Sequence, residues 1–266
     1  MRPQKKLALV GGGKLNTIVA RAYADGLLPG YELVGVLSRT YASAETVANI
    51  AGCTACRTLE ELLALKPDYV AESASVQAIR DIAIPVLSSG ADLVALSCGA
   101  FADEAFLEQV KACADAHGTQ VHIPSGAIGG FDVMQTVTLM AQAGALPKTA
   151  SFNALKTPGG VRNTPLECKV SAQEKAEVFS GSAAEAIALL PTKVNVAVAT
   201  ALATLGPQKT AVNITTDPDF HGDEYVIRVE TEGYRTTLDI YSATSDIAGW
   251  SVVALLRNLS SPITFH

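Results

Sequence analysis

The stretch Leu7-Ala8-Leu9-Val10-Gly11-Gly12-Gly13-Lys14-Leu15-Asn16-Thr17-Ile18-Val19-Ala20 decides how this chain is read. Four apolar residues predict a buried strand, three glycines a turn, and the residues from Lys14 onward a helix. That order is the strand, glycine loop and helix of a dinucleotide site. Gly11 permits the tight turn, and the absent side chain at Gly13 lets the backbone approach a pyrophosphate. The free N–H groups of the helix start, at Lys14 and Leu15, then face that anion with the positive end of the helix dipole. The complete fingerprint is G-x-G-x-x-G, and its third position here is Asn16. A tight glycine turn without a ligand is the alternative reading.

At 266 residues the chain has room for one large domain or two ordinary ones. Hydrophobic residues make up 48% and charged ones 17%, which excludes a disordered chain. The net charge is −6 with lysines and arginines scattered, which argues against nucleic acid or an anionic membrane as partner. The apolar run behind Lys6 breaks at Gly11, too short for the core of a signal peptide, and no run of membrane-spanning length occurs. A soluble, cytoplasmic protein is the expectation. Cysteines stand at 53, 56, 98, 113 and 168, an odd number without a disulfide framework. Cys53 and Cys56 form a C-x-x-C pair, but no second pair or nearby histidine completes a metal site. Two reduced thiols beside a short strand are favoured over a redox dithiol.

After the first helix, Tyr31–Leu37 predicts a second strand that ends in Ser38-Arg39-Thr40. An acidic residue at this point would hold the ribose 2′-hydroxyl of NAD, whereas an arginine accommodates a 2′-phosphate. Ser38, Arg39 and Thr40 supply a cation and two hydroxyls and no carboxylate, so NADP is preferred, with NAD left open. A solvated loop arginine is the alternative. Strands follow around Cys53–Cys56, Asp68–Glu72, Leu93–Leu96 and Thr119–Ile123, alternating with helices over Ser43–Ala51, Leu59–Leu65, Gln77–Gly90 and Glu104–His117. This alternation predicts an α/β fold with a doubly wound parallel sheet of the Rossmann type. Ligands lie beyond the carboxyl ends of such strands, which marks Ser73, Ala74, Ser97 and Cys98 as cofactor neighbours.

The glycine-rich bend Pro124–Asp132 marks a change of architecture. Residues 1–124 are expected to form the nucleotide domain and 125–266 an α+β substrate domain, with the last helix, 246–259, able to pack back on the first. In the second part, strands are predicted over Thr149–Thr157, Ala211–Thr216, Glu224–Glu230 and Thr236–Tyr241. Helices are predicted over Val133–Gly144, Ala172–Glu177, Ala183–Leu189 and Pro191–Leu205.

Several motifs in this order resemble those of the L-aspartate dehydrogenase family. Pro124-Ser125-Gly126-Ala127-Ile128-Gly129-Gly130-Phe131-Asp132 is similar to the family's P-S-G-A-I-G-x-x-D hinge. Phe179–Ala186 resembles F-x-G-x-A-x-E-A, and Leu190–Ala197 resembles F-P-K-N-x-N-V-A. Thr215-Thr216-Asp217-Pro218 is similar to the A-D-P strand end, and Thr244-Ser245 to the close of N-P-K-T-S. The resemblance implies an N-terminal Rossmann domain, a C-terminal α+β domain, NAD(P)-dependent oxidation of an amino acid, and a homodimer through the second domain's sheet. The apolar helix Ile247–Leu256 is a further candidate interface.

The departures from the family concern its chemistry. The family's N-x-H carries the acid–base histidine; here the register puts Asp223 at the asparagine and Tyr225 at the histidine. N-P-K-T-S becomes Tyr241-Ser242-Ala243-Thr244-Ser245, without the proline and lysine. A histidine suits proton abstraction and donation near neutrality. Tyr225, with an ordinary pKa of about 10, suits donation to a carbonyl or imine unless a cation lowers it; a tyrosine packed on a sheet face is the alternative. His221, four residues earlier, could occupy the vacated space, or be a solvated loop residue. Lys156 resembles a basic residue of the family and is a candidate carboxylate ligand or proton donor, or else solvent-facing. Asn195 is a candidate ligand of a carboxylate or of the cofactor amide, or a local cap. Thr244 and Ser245 are candidate carboxylate ligands, or caps of the last helix. His117, His122 and His266 are given no role.

The reading that follows is an NAD(P)-dependent oxidoreductase acting on a small amino acid or its imino or oxo acid, with strict aspartate specificity in doubt. A catalytically silent dinucleotide-binding protein is the second reading. A reductase of the dihydrodipicolinate or homoserine type is a third, but its substrate motifs are not apparent in the chain.

Overall fold

The computed structural model describes residues 3–146, 148–190 and 195–265. Pro191–Val194, within the predicted helix Pro191–Leu205, and His266 lie outside the described residues. The chain divides into two compact units, residues 1–126 with 246–266, and residues 127–245.

In the first unit the strands are β1 (Lys5–Val10), β2 (Tyr31–Leu37), β3 (Thr54–Cys56), β4 (Tyr69–Glu72), β5 (Asp92–Ala95) and β6 (Val121–His122). They form one parallel sheet in the order β3-β2-β1-β4-β5-β6. This is the order of the Rossmann fold, in which the chain reverses its direction of winding at β1 and β4. Its helices are α1 (Lys14–Ala24), α2 (Tyr41–Ala51), α3 (Leu59–Ala64), α4 (Val76–Ser88) and α5 (Glu104–His117). The continuous apolar run of β1 fits a strand covered on both faces, and Leu7, Ala8 and Leu9 are fully buried.

The last helix, Asp246–Ser260, belongs to this unit and packs on α1. Gly249 permits the approach: a side chain there would begin 2.9 Å from Ile18 Cδ1 and 3.1 Å from the Leu15 carbonyl. Val252, Val253 and Leu256 are buried in the same core, and the Tyr31 hydroxyl donates to the Leu256 carbonyl at 2.9 Å. The expectation that the apolar face of Ile247–Leu256 serves as an interface is therefore corrected: these side chains are spent on the core, and Trp250 is the large apolar residue this helix leaves exposed.

The second unit carries a mixed five-stranded sheet. Its strands are β7 (Lys148–Lys156), β8 (Ala176–Ser182), β9 (Thr210–Thr216), β10 (Asp223–Thr231) and β11 (Tyr234–Ser242), in the order β11-β10-β7-β9-β8. β7 and β9 are parallel and the other neighbours antiparallel. The helices α6 (Phe131–Ala143), α7 (Ala183–Leu189) and α8 (Asn195–Ala203) complete the unit, and α6 and α8 pack on the sheet and on each other. On the covered face Ala150, Phe152, Ala154, Val212, Ile214, Tyr225, Ile227 and Val229 alternate with outward residues, as a half-buried sheet requires. The predicted helix Ala172–Glu177 is not formed. Glu177 pairs with Thr215 and Phe179 with Ile214, so the small residues there lead into a bulged edge strand. Local helical pattern lost to the hydrogen bonds that β9 offers.

Candidate active site

In the first unit the carboxyl ends of β1, β2 and β4 open on a cavity of 840 Å³. Gly11, Gly12 and Gly13 line it, with Ser38, Arg39 and Thr40 after β2 and Ser73, Ala74 and Ser75 after β4. Gly11 has φ +116°, and a side chain there would begin 2.9 Å from the Ser73 carbonyl oxygen. A side chain at Gly13 would meet nothing within 4 Å, so that backbone faces open space. Gly13 also caps α1 without any side-chain hydrogen bond, whereas Thr40, Thr58 and Ser75 cap α2, α3 and α4. The first N–H groups of α1 thus lack a capping side chain, and no acidic residue stands in that turn. A bare glycine turn at a helix start fits a dinucleotide pyrophosphate.

Asn16, read as a departure from the glycine fingerprint, is fully buried; its Nδ2 donates to the carbonyls of Val10 and Gly11, both at 2.9 Å. The amide closes the glycine loop from beneath. Ser38 Oγ accepts from the Gly12 N–H at 3.1 Å, which ties the end of β2 to the same loop. Thr40 caps α2 by accepting from Ser43 N, and the two hydroxyls meet at 2.7 Å. Of the other predicted cofactor residues, Lys14 and Leu15 do not line the cavity. The Lys14 side chain is in an ion pair with Asp246, so only the backbone N–H groups remain to face an anion.

Ser97 and Cys98 are buried and also lie away from the cavity lining. The reason is Glu72, which sequence reading passed over as a strand residue. Its carboxylate is fully buried and accepts from Ala74 N at 2.6 Å, Ser75 N at 2.8 Å, Ser97 N at 3.0 Å and Ser97 Oγ at 2.8 Å. Burial raises its pKa against the opposing pull of these donors. One carboxylate therefore fixes the turns after both β4 and β5. A carboxylate at a parallel strand's end, followed by serines, was the available signal. Arg57, also missed, lines the cavity beside Thr58 with its guanidinium 3.8 Å over the Tyr41 ring.

The second unit gathers a different set of groups on the helix-covered face of its sheet. Lys156 ends β7; it is paired in register with Asp223 of β10 on one side and Thr216 of β9 on the other. Its Nζ donates to Asp223 Oδ1 at 2.6 Å and to the Tyr225 hydroxyl at 2.8 Å. The lysine side chain is 15% exposed and Asp223 39%, so the cluster meets solvent at the carboxylate. Tyr225 is buried and its ring stacks on Phe152 at 5.4 Å. Burial alone would lower the Lys156 pKa, but Tyr225 and Asp223 outweigh it and the net shift is upward. Burial raises the Tyr225 pKa more than the ammonium lowers it. With both values raised, the lysine is an ammonium and the tyrosine a protonated phenol at neutral pH. Thr216, fully buried beside Lys156, has a hydroxyl with no hydrogen-bond partner among the described residues.

His221 is exposed in the loop before β10 and is not joined to this cluster. Gly222, φ +93°, turns that loop where a side chain would begin 3.1 Å from Ala243 Cα. Thr244 and Ser245 are exposed after β11, and Asn195 opens α8. Cys53 and Cys56 are free thiols; burial, with the neighbouring Cys56, pushes Cys53 up to about 11, and burial raises Cys56 as well. Both stay protonated, which suits inert packing. Among the described residues no cluster of histidine, cysteine and carboxylate ligands is placed to hold a metal, and no helix is long and apolar enough to cross a membrane.

A model of the aspartate dehydrogenase C-terminal domain matches residues 137–259, and a model of the homoserine dehydrogenase NAD-binding domain matches residues 9–124. An L-aspartate dehydrogenase of Methanocella arvoryzae is 30% identical over 97% of this chain and 98% of its own. The L-aspartate dehydrogenase 2 of Bordetella pertussis is 31% identical over 95% and 96%. Among solved structures, aspartate dehydrogenase from Thermotoga maritima superposes with a TM-score of 0.77 at 24% identity, covering 99% of this chain and all of that one, and shares the fold. With a Rossmann nucleotide domain, an aspartate dehydrogenase-type second domain and relatives matched over nearly their full length, the chain belongs to the L-aspartate dehydrogenase family.

Proposed function

We propose that this protein is an NAD(P)-dependent dehydrogenase that interconverts a small amino acid and its oxo acid, and that it favours the reductive direction at neutral pH. The observation that carries the reading is the Lys156–Asp223–Tyr225 cluster, in which Asp223 and Tyr225 hold the positions that the resemblance assigns to the family's asparagine and histidine. The bound nicotinamide supplies or accepts the hydride. In the reductive direction an oxo acid, ammonia and a proton enter with the hydride, and the amino acid and water leave.

The chain's residues bind and move the proton. The glycine loop and the start of α1 hold the pyrophosphate. Ser38, Arg39 and Thr40, with no carboxylate among them, favour NADP over NAD. An ammonium has three donors, of which Asp223 and Tyr225 engage two; the third is left for a substrate carboxylate or carbonyl oxygen. Tyr225 accepts from Lys156, so its own proton remains to be donated, to Asp223 or to the oxygen that leaves as water. Its raised pKa makes it an acid at neutral pH, not a base. Thr216 offers its buried hydroxyl to the same substrate end. Asp223 cancels much of the positive charge that a second substrate carboxylate would need, so the substrate class is a small amino acid rather than aspartate alone.

A coupled absorbance scan tests this reading: NADPH or NADH oxidation with ammonia and oxaloacetate, beside a panel of other oxo acids. Turnover of any of these acids supports an enzyme, and its rank order names the substrate. Binding of the cofactor with no turnover across the panel would favour the silent binding protein, a reading kept open by the tyrosine at the family's histidine position. We also assign a cytoplasmic location and a homodimer. The dimer would use the sheet face opposite α6 and α8, where Asn153, Asn213 and Ser180 hydrogen-bond from strand to strand. Light scattering showing a monomer would overturn it.

A further inference from the structure

Two guanidinium groups line the cavity near the end of β2, and one of them is held in place. Arg57 leads from β3 into α3, and its guanidinium lies 3.8 Å over the ring of Tyr41, the first residue of α2. Stacking on an aromatic face fixes the plane of the guanidinium and leaves its edge of N–H donors unspent. The Glu61 carboxylate is engaged elsewhere, its Oε2 accepting the Arg57 backbone N–H at 2.7 Å. Among the described residues neither the Arg57 nor the Arg39 guanidinium is in an ion pair. Ser38, Thr40, Ser43 and Thr58 add hydroxyls to this wall, and the first turn of α2 has no acidic residue. Asp81, the carboxylate on the cavity lining, is engaged by Gln77 Nε2 at 2.8 Å.

We propose that Arg57, oriented by Tyr41, determines the choice of cofactor: with Arg39 it forms a two-guanidinium clamp for the 2′-phosphate of a phosphorylated dinucleotide. The proposal rests on the reading that this cavity binds NAD(P) and names the residue behind its preference for NADP. A phosphate monoester is a dianion whose oxygens match the paired donors of a guanidinium. The neutral 2′-hydroxyl of NAD satisfies neither cation. Arg39 is exposed and adjoins the hydroxyl cluster, whereas Arg57 is stacked in advance and loses less freedom on binding. Arg57 is therefore the larger contributor, although it lies outside the β2 end that sequence rules inspect.

The test is calorimetric titration of the full chain with adenosine 2′,5′-bisphosphate and with 5′-AMP, which differ only in the 2′-phosphate. The expected result is tighter binding of the bisphosphate by the unaltered protein. Arg57→Ala then lowers bisphosphate affinity about 10- to 100-fold and leaves 5′-AMP within about twofold. Arg57→Lys restores part of the preference, because it keeps the charge without the fork. Tyr41→Leu loses part of it while melting as the unaltered protein does. Equal loss of both ligands in Arg57→Ala, or a preference that survives there and vanishes in Arg39→Ala, overturns the clamp and leaves the NADP reading standing. No preference in the unaltered protein overturns the NADP reading and the clamp together, with dinucleotide binding judged separately by 5′-AMP and NADH.

Discussion

The ammonium of Lys156 donates to the hydroxyl of Tyr225 at 2.8 Å from a neighbouring strand, and both groups have pKa values raised above their ordinary ones. A lysine beside a tyrosine usually suggests an activated phenolate. Here burial of the ring wins, and the pair is an ammonium with a neutral phenol.

Tyr225→Phe keeps the ring on Phe152 and removes the donor. Reductive turnover is expected to fall about 10²- to 10⁴-fold, the usual weight of a positioned acid, with cofactor affinity unchanged. Steady-state kinetics and NADPH titration check it. An unaltered rate would remove Tyr225 from the chemistry.

The oxidative direction needs a base, and Tyr225 becomes one only above the ordinary phenol value of about 10. Oxidative kcat/KM should therefore climb through the alkaline range without a plateau near neutrality. In Tyr225→His the rise should move down to the histidine range, about 6.5. A pH–rate profile that plateaus near pH 7 in the unaltered protein would contradict this assignment.

Stability has its own pH dependence. Lys156 and Tyr225 both have folded pKa values above their unfolded ones, so their proton-linked contribution is full below the unfolded values and lost as pH rises through the folded ones. The melting temperature should be insensitive to this pair near neutrality and fall above about pH 10. Lys156→Met should remove the lysine's share of that fall, leave the tyrosine's, and lower stability at pH 7 by about 1–3 kcal/mol, since the hydrogen bonds to Asp223 and Tyr225 lose their donor. Thermal denaturation across pH measures both.

Glu72→Gln keeps the shape at the ends of β4 and β5 but turns one acceptor oxygen into a donor. Either Ser97 or the Ala74–Ser75 turn then faces a like group. A loss of about 1–3 kcal/mol is expected, together with weaker cofactor binding because Ser73–Ser75 line the cavity. Denaturant melts and NADPH titration decide it; unchanged values in both would make the four hydrogen bonds dispensable.

Restoring the fingerprint glycine by Asn16→Gly should harm the protein. It strips the buried carbonyls of Val10 and Gly11 of their 2.9 Å donor and adds the helix penalty of glycine, about 1 kcal/mol. A total of about 2–4 kcal/mol is expected from urea unfolding. A more stable variant would show that the asparagine serves something other than the loop.

The sequence by itself determined the alternation of strands and helices, the glycine turn that opens α1 and the absence of a carboxylate after β2. These are local properties, written in periodicity and backbone freedom. The resemblance of its motifs also suggested Tyr225 as the counterpart of the family's histidine. Only the tertiary structure decided what surrounds those residues. Ala172–Glu177 has a helical pattern but gives way to β8, because β9 offers a partner 40 residues away that no window of sequence contains. Glu72 reads as one more strand residue until the turns after β4 and β5 converge on its carboxylate. Lys156, a candidate from the sequence, gains its partners because β10 and β9 set Asp223, Tyr225 and Thr216 around it, and Arg57 becomes a candidate because α2 puts Tyr41 beneath it. Chemistry of this kind lies between strands, where the distance along the chain carries no information about the distance in space.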